Sequence, residues 1–158
     1  MWQSCLLLVC LSAFSIVQSE APESILKAQQ EIEKAILEVQ DQMQKAAQQG
    51  NAEALYSYVM EMDRGVIIEN GRLRRTKQEA LELTKQGMQS FKDVSYSYSQ
   101  KHITVISPNA VLWVAEGTSS ATLADGSRIS APFAETIVFM LNDGRWRVLH
   151  AHRSTPNR

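Results

Sequence analysis

The chain has 158 residues, with 16 Lys and Arg against 17 Asp and Glu, so its formal net charge is −1. That length predicts a single folded domain. The near balance of interspersed charges excludes the extended basic face that nucleic-acid binding requires, and no nucleic-acid partner is predicted.

Residues 1–19 are predicted to be a cleavable signal peptide. Residues 5–17 form an uncharged apolar run that is shorter than the roughly 20 residues of a membrane span. Because no Lys or Arg precedes that run, a retained anchor is the alternative. Cleavage after Ser19 leaves a domain of residues 20–158, secreted or periplasmic and not bound to a membrane. That domain has no thiol, because Cys5 and Cys10 leave with the peptide.

Three helices are predicted in the first half of the domain. The first has apolar residues at three- and four-residue steps, and Gly50 suits its end. Asn51 is a favourable N-cap for a second, short helix. Thr76 and Glu79 match a capping box that begins the third. The predicted helices span residues 24–49, 52–60 and 77–91.

The hydrophobic period changes from about four to two after residue 93, which predicts a long antiparallel meander. Turn sequences at Pro108-Asn109, Asp125-Gly126 and Asp143-Gly144 separate the strands. Helices followed by such a meander form an α+β fold. The predicted strands span residues 66–68, 93–106, 110–121, 129–141 and 145–154.

The last predicted strand carries the most informative pattern in the chain. Because side chains alternate along a strand, Trp146, Val148, His150 and His152 are expected to share one face. Two imidazoles and an indole on one face could line a cavity.

Three segments at the end of the chain carry a family resemblance: Glu135-Thr136, Asp143-Gly144-Arg145-Trp146 and His150-x-His152-x-Ser154. Together they resemble the C-terminal hairpin of the SnoaL-like branch of the nuclear transport factor 2-like superfamily. They are especially similar to the association domain of calcium/calmodulin-dependent protein kinases. The resemblance implies a cone-shaped α+β fold, in which three N-terminal helices pack on a strongly curved antiparallel sheet around a pocket. It also implies homodimers that pair through the sheet.

The resemblance does not select one activity, because ketosteroid isomerase-like enzymes, dehydratases, cyclases and oligomerisation modules share this fold. In the kinase association domain an arginine follows the Glu-Thr pair and helps to bind carboxylates, but Ile137 occupies that position here. The catalytic sets of the isomerases and dehydratases are not found. No catalytic residue is therefore assigned.

Glu135 is the first pocket candidate, because it stands among apolar residues. Facing inward, it would be a base or a hydrogen-bond partner. The alternative is an ion pair with Arg64, Arg128 or Arg153, or exposure at the strand's start.

His150 and His152 are candidates for proton transfer, because imidazole titrates near neutral pH. A metal site is the weaker interpretation, since one His-x-His pair lacks carboxylate partners. No metal or other cofactor is predicted. The remaining alternative is that both histidines are structural.

Aromatic side chains complete the predicted pocket, which contains Tyr58, Tyr98 and Trp113 beside Glu135, His150 and His152. Apolar walls with a few polar tips are typical of a small-molecule site, whereas plain core packing is the alternative. The sequence thus predicts an exported domain that binds a small apolar or amphipathic ligand in the cone. An isomerase, dehydratase or cyclase that uses Glu and His, and a non-catalytic oligomerisation module, are the alternatives.

Overall fold

The computed structural model describes residues 22–61, 67–69 and 71–156. The predicted signal peptide, Arg64, Val66 and Asn70 lie outside the described residues. The described elements confirm the α+β class. They are α1 (Glu23–Gln48), α2 (Ala52–Tyr56), β1 (Ile67–Glu69), β2 (Arg72–Arg74), α3 (Lys77–Met88), β3 (Phe91–Ser107), β4 (Ala110–Leu123), β5 (Arg128–Asn142) and β6 (Arg145–Ser154).

The helical layer is smaller than the sequence predicted. Asn51 does cap α2, since its Oδ1 accepts a hydrogen bond from the Ala54 amide at 2.9 Å. However, α2 ends at Tyr56 rather than at residue 60. The chain leaves the helix there because the Met60 amide donates to the Val148 carbonyl at 3.0 Å. The third helix also ends early, at Met88, and Phe91 already belongs to β3.

In the described residues, six strands form one curved, open sheet in the order β2-β1-β6-β5-β4-β3. All neighbours are antiparallel except β1 and β6, which run parallel. The short strand β2, which was not predicted, pairs with β1 as a hairpin. The long meander from β3 to β6 therefore forms most of the sheet, as the alternating pattern indicated.

Gly117 in β4 permits a close approach to β3. A Cβ atom at this position would overlap the carbonyl of Ser97 on the neighbouring strand. Just beyond this contact, the β3–β4 register shifts between Tyr98 and Gln100. Bulges increase the bend and twist of a strand, so the missing side chain and the bulge together help the sheet to curve.

The inner face of the sheet, defined as the face that packs on α1, forms the core. Among the described residues, the largest fully buried side chains of this core come from α1 and from strands β4, β5 and β6: Ile36, Val111, Trp113, Phe139 and Val148. Much of the expected cone is therefore filled by the protein's own side chains. No helix among the described residues is long and apolar enough to cross a bilayer.

A bulge in β6 changes which side chains of this strand share a face, compared with the prediction. Val138 pairs with His150, but the next residue of β5, Phe139, pairs with Val148, so Leu149 is an extra residue. The extra residue shifts the alternation by one position, so side chains after the bulge lie on the face opposite to the one that a regular strand would give them. The prediction that Trp146 and Val148 share a face with both histidines was therefore wrong.

Candidate functional site

Glu135, on the inner face of β5, is the centre of a buried polar cluster. Its side chain is only 4% exposed. Its Oε1 atom accepts hydrogen bonds from Tyr98 Oη at 2.9 Å, Trp113 Nε1 at 3.1 Å and Gln40 Nε2 at 3.1 Å. Three elements, α1, β3 and β4, thus each supply one donor to the same oxygen.

Arg153 binds the second carboxylate oxygen. It pairs with Glu135 across β5 and β6, and its Nε and Nη2 atoms donate to Oε2 at 3.2 and 2.6 Å. Its guanidinium also lies over the rings of Tyr96 and Phe133, 5.0 and 4.8 Å from their centroids. The ion pair with Arg153 was one of the alternatives for Glu135.

The charged state of this pair follows from its surroundings. Burial alone would lower the pKa of Arg153, but the charge of Glu135 and the nearby phenol of Tyr96 outweigh burial and raise that pKa. Arg153 therefore remains a cation, and its partly buried charge, on a side chain that is 30% exposed, is tolerated because its partner is close and well aligned.

The chemical consequence is that Glu135 is saturated. A carboxylate offers about four lone-pair sites, and Glu135 accepts three hydrogen bonds on one oxygen and two on the other. Burial, followed by the charge of Glu135, raises the pKa of Tyr98, so its phenol remains a neutral donor. In this arrangement Glu135 has no lone pair directed at a substrate proton.

Gln40 was missed by the sequence analysis, although its position could have revealed it. It follows Ile36 by four residues and so lies on the buried stripe of α1, where a polar residue is unusual. Its Nε2 also donates to Tyr98 Oη at 3.1 Å, whereas its buried Oε1 has no partner among the described residues. Arg153 was weighed only as an alternative partner of Glu135, because the bulge that turns it inward has no sequence signature.

The six predicted pocket residues occupy three different places. Glu135, Tyr98 and Trp113 come together in the buried cluster. His150 and His152 lie on the outer face, defined as the face turned away from α1, because they pair with Val138 and Thr136. The pairing of Glu135 with a histidine, which the enzymatic alternative required, is absent from the described residues. The binding role of each residue stays a prediction.

Tyr58 lies in a separate cavity of about 590 Å³, between α1 and the turn that joins β5 to β6. Val39 and Ala35 contribute from α1, and Trp146 contributes from β6. The remaining lining residues are polar or glycine: Glu38, Gln42, Ser57, Gly144, Arg145 and Arg147. Within the described ranges, no cluster of three or more His, Cys, Asp and Glu side chains could hold a metal ion.

Comparison with known proteins gives a clear family match. The model of the SnoaL-like domain matches residues 36–158, which is most of the chain. The match begins at Ile36, the first fully buried residue of α1. A comparison with curated proteins gave no match.

Solved structures agree with the same fold. A proposed scytalone dehydratase from Novosphingobium aromaticivorans has a TM-score of 0.72 at 13% identity, over 84% of this chain and 89% of its own. A proposed calcium/calmodulin-dependent protein kinase II association domain from Xanthomonas campestris has a TM-score of 0.69 at 14% identity. The match covers 78% of this chain and 86% of that domain. A nuclear transport factor 2-like superfamily protein from Salmonella enterica also has a TM-score of 0.69, at 17% identity. The match covers 85% of this chain and 94% of that protein.

Proposed function

The chain belongs to the SnoaL-like domain family, and from that premise we propose that it is an exported, non-catalytic domain that binds a small amphipathic ligand. The observation that carries the proposal is the cavity lined by Tyr58 and Trp146, whose volume is about 590 Å³. Small-molecule sites have volumes of roughly 300–1,000 Å³, with apolar walls and a few polar groups.

The lining of this cavity favours a ligand with an apolar body and a polar end. Val39, Tyr58 and Trp146 offer apolar surface, whereas Glu38 and Arg147 bring charge. Burial of apolar area would supply most of the affinity, and the polar groups would orient the ligand.

Proton-transfer catalysis has less support, despite the likeness to a proposed dehydratase. A general base must reach a substrate proton with a free lone pair. Glu135 directs both oxygens at donors of its own chain, and His102, His150 and His152 lie on the outer face. The cluster therefore serves to hold α1 on the sheet.

A thermal-shift screen with fatty acids, aromatic acids and steroids tests the binding proposal. Ligands that bind the folded state raise the unfolding temperature by mass action. The fluorescence of Trp146, which lines the cavity, should change with the same concentration dependence.

Matched variants on α1 give the control. Ala35→Phe should fill the cavity and abolish the thermal shift, because Ala35 lines it. Leu37→Phe, on an exposed position of the same helix, should leave the shift intact. Equal binding by both variants would place the ligand elsewhere and refute the proposed site.

Export is the part of the proposal that rests on residues 1–19. Expression in a secreting host, followed by intact mass measurement, should give a product that begins at Glu20. A product that keeps Met1 and stays with the cell membranes would support the retained anchor instead.

Self-association is a second candidate role, which the outer face favours. Leu112, Val114 and Val138 form an apolar patch there, and the Val114 residue is 39% exposed. We infer a homodimer that buries this patch, consistent with the likeness to an association domain. Light scattering should show a dimer that Val114→Glu converts to a monomer. A monomeric parent chain would rule this role out.

A further inference from the structure

A second cavity, of about 300 Å³, lies where β3 begins and where β4 turns into β5. The strand register places two cross-strand rows of polar residues on the outer face beside it. We call this cavity the serine cleft. Its polar lining residues are Asp93, Ser95, Ser120, Thr122, Arg128 and Ser130.

One row of the serine cleft has a negatively charged residue at one end and a positively charged residue at the other. Asp93 pairs with Thr122, and Thr122 pairs with Arg128, so the two charged residues lie two strands from each other. Two strand spacings of about 4.8 Å separate their backbones by roughly 10 Å. Neither charged group has a hydrogen-bond or ion-pair partner among the described residues.

The neighbouring row is made of hydroxyl groups. Ser95 pairs with Ser120, which pairs with Ser130, and the last two hydroxyls lie 3.0 Å apart in a hydrogen bond. The hydroxyls of Ser95 and Thr122 make no hydrogen bond to a described residue. Each hydroxyl can both donate and accept, so this wall imposes no charge on a ligand.

We propose that the serine cleft is a second binding site, whose ligand is a neutral polyhydroxylated molecule of monosaccharide size. A simple anion between the two groups would be attracted by Arg128 but repelled by Asp93, and the reverse would hold for a simple cation, so neither kind of ion satisfies both groups. Ligand hydroxyls, in contrast, can donate to the carboxylate and accept from the guanidinium at the same time.

The dimensions of the cleft fit such a ligand. A small ligand with hydroxyl groups on two sides can lie between the two charged side chains, because their backbones are roughly 10 Å apart. The volume of about 300 Å³ lies at the lower end of the range for small-molecule sites, which excludes long oligosaccharides from full enclosure.

The test is a titration of the ¹⁵N-labelled protein with glucose, galactose, mannose and N-acetylglucosamine, each to high millimolar concentration. At least one sugar should produce saturable shifts confined to the amides of Asp93, Ser95, Thr122 and Arg128. Asp93→Asn and Arg128→Gln should each weaken that binding about tenfold or more, because each replaces a hydrogen bond to a charged group by a weaker one to a neutral amide.

Glu116→Gln is the matched control, since Glu116 is an exposed acid of β4 on the same face that does not line the cleft. It should leave sugar binding unchanged. Absence of saturable shifts, or equal weakening by the control, would overturn the proposal. Tighter binding of a zwitterion such as glycine betaine than of every sugar would also overturn it. Because this site does not share residues with the Tyr58 cavity, either site can fail without the other.

Discussion

The two faces of the sheet hold their ionisable side chains in different ways. On the inner face, Glu135 is almost fully buried and accepts hydrogen bonds from Tyr98, Trp113, Gln40 and Arg153. On the outer face, His152 is exposed. A buried charge without partners is costly, and Glu135 is accordingly bound by donors from several elements. On the outer face, water can hydrate the exposed polar groups. The kind of side chain alone therefore did not show which ionisable residues are buried and stabilise the fold.

Replacement of Glu135 should give the largest effect. Glu135→Ala leaves Arg153 unpaired and Tyr98 and Trp113 without their acceptor, and we expect a loss of about 3–5 kcal/mol in the free energy of unfolding. Urea denaturation at neutral pH measures it. Glu116→Ala on the outer face should change the same quantity by less than about 0.5 kcal/mol. Equal losses from both variants would remove the distinction between the faces.

Gly117 tests whether the curvature that encloses the inner face depends on the missing Cβ atom. Gly117→Ala should cost about 1–3 kcal/mol, because the new Cβ overlaps the backbone of Ser97. Gly87 in α3 has open space around it, so Gly87→Ala should instead stabilise the protein by about 0.5–1 kcal/mol. Denaturation midpoints compare the two. The same sign for both substitutions would contradict the steric explanation.

Tyr98 should make stability depend on alkaline pH. Tyr98→Phe removes one hydrogen bond to Glu135 and should cost about 1 kcal/mol at pH 7. Because the folded-state pKa of Tyr98 is raised, its contribution is fully present below the ordinary value of about 10 and is lost as pH rises above it.

The stability of Tyr98→Phe should therefore fall less steeply above pH 10 than that of the parent chain. Part of the slope should remain, because burial also raises the pKa of Tyr56. Denaturation at a series of pH values checks this. Identical slopes for the two proteins would show that Tyr98 ionises as freely in the folded state as in the unfolded state.

The exposed histidine should give the smallest effect. His152→Gln should change the free energy of unfolding by less than about 0.5 kcal/mol, because His152 is exposed on the outer face. It should also leave the thermal shift caused by a ligand of the Tyr58 cavity intact. Loss of that shift would mean that the outer face takes part in binding after all.

The long elements were predictable because their hydrophobic patterns are local. Residues 145–154 form β6 with the predicted bounds, and α1 differs from its prediction by one residue at each end. The second helix was predicted too long, because the hydrogen bonds between residues 58–60 and Val148 compete with the helix. Strand β2, with only three residues, is too short to show alternation.

The candidate site was only partly predictable. Glu135, Tyr98 and Trp113 were all named as pocket residues, and the structure brings them into one hydrogen-bonded cluster. Arg153 became its counter-ion through the register of β5 and β6, which depends on a bulge at Leu149. A bulge forms when one strand pairs with another, so the sequence of β6 alone does not predict it.

The sequence by itself determined the α+β class, the order of the main elements and the family, because periodicity and turn residues act over short distances. The tertiary structure alone decided that the histidines turn outward, that Arg153 turns inward and that Glu135 is saturated. The physical reason is that a shift of one residue in strand register moves every later side chain to the other face, and that register is set between strands.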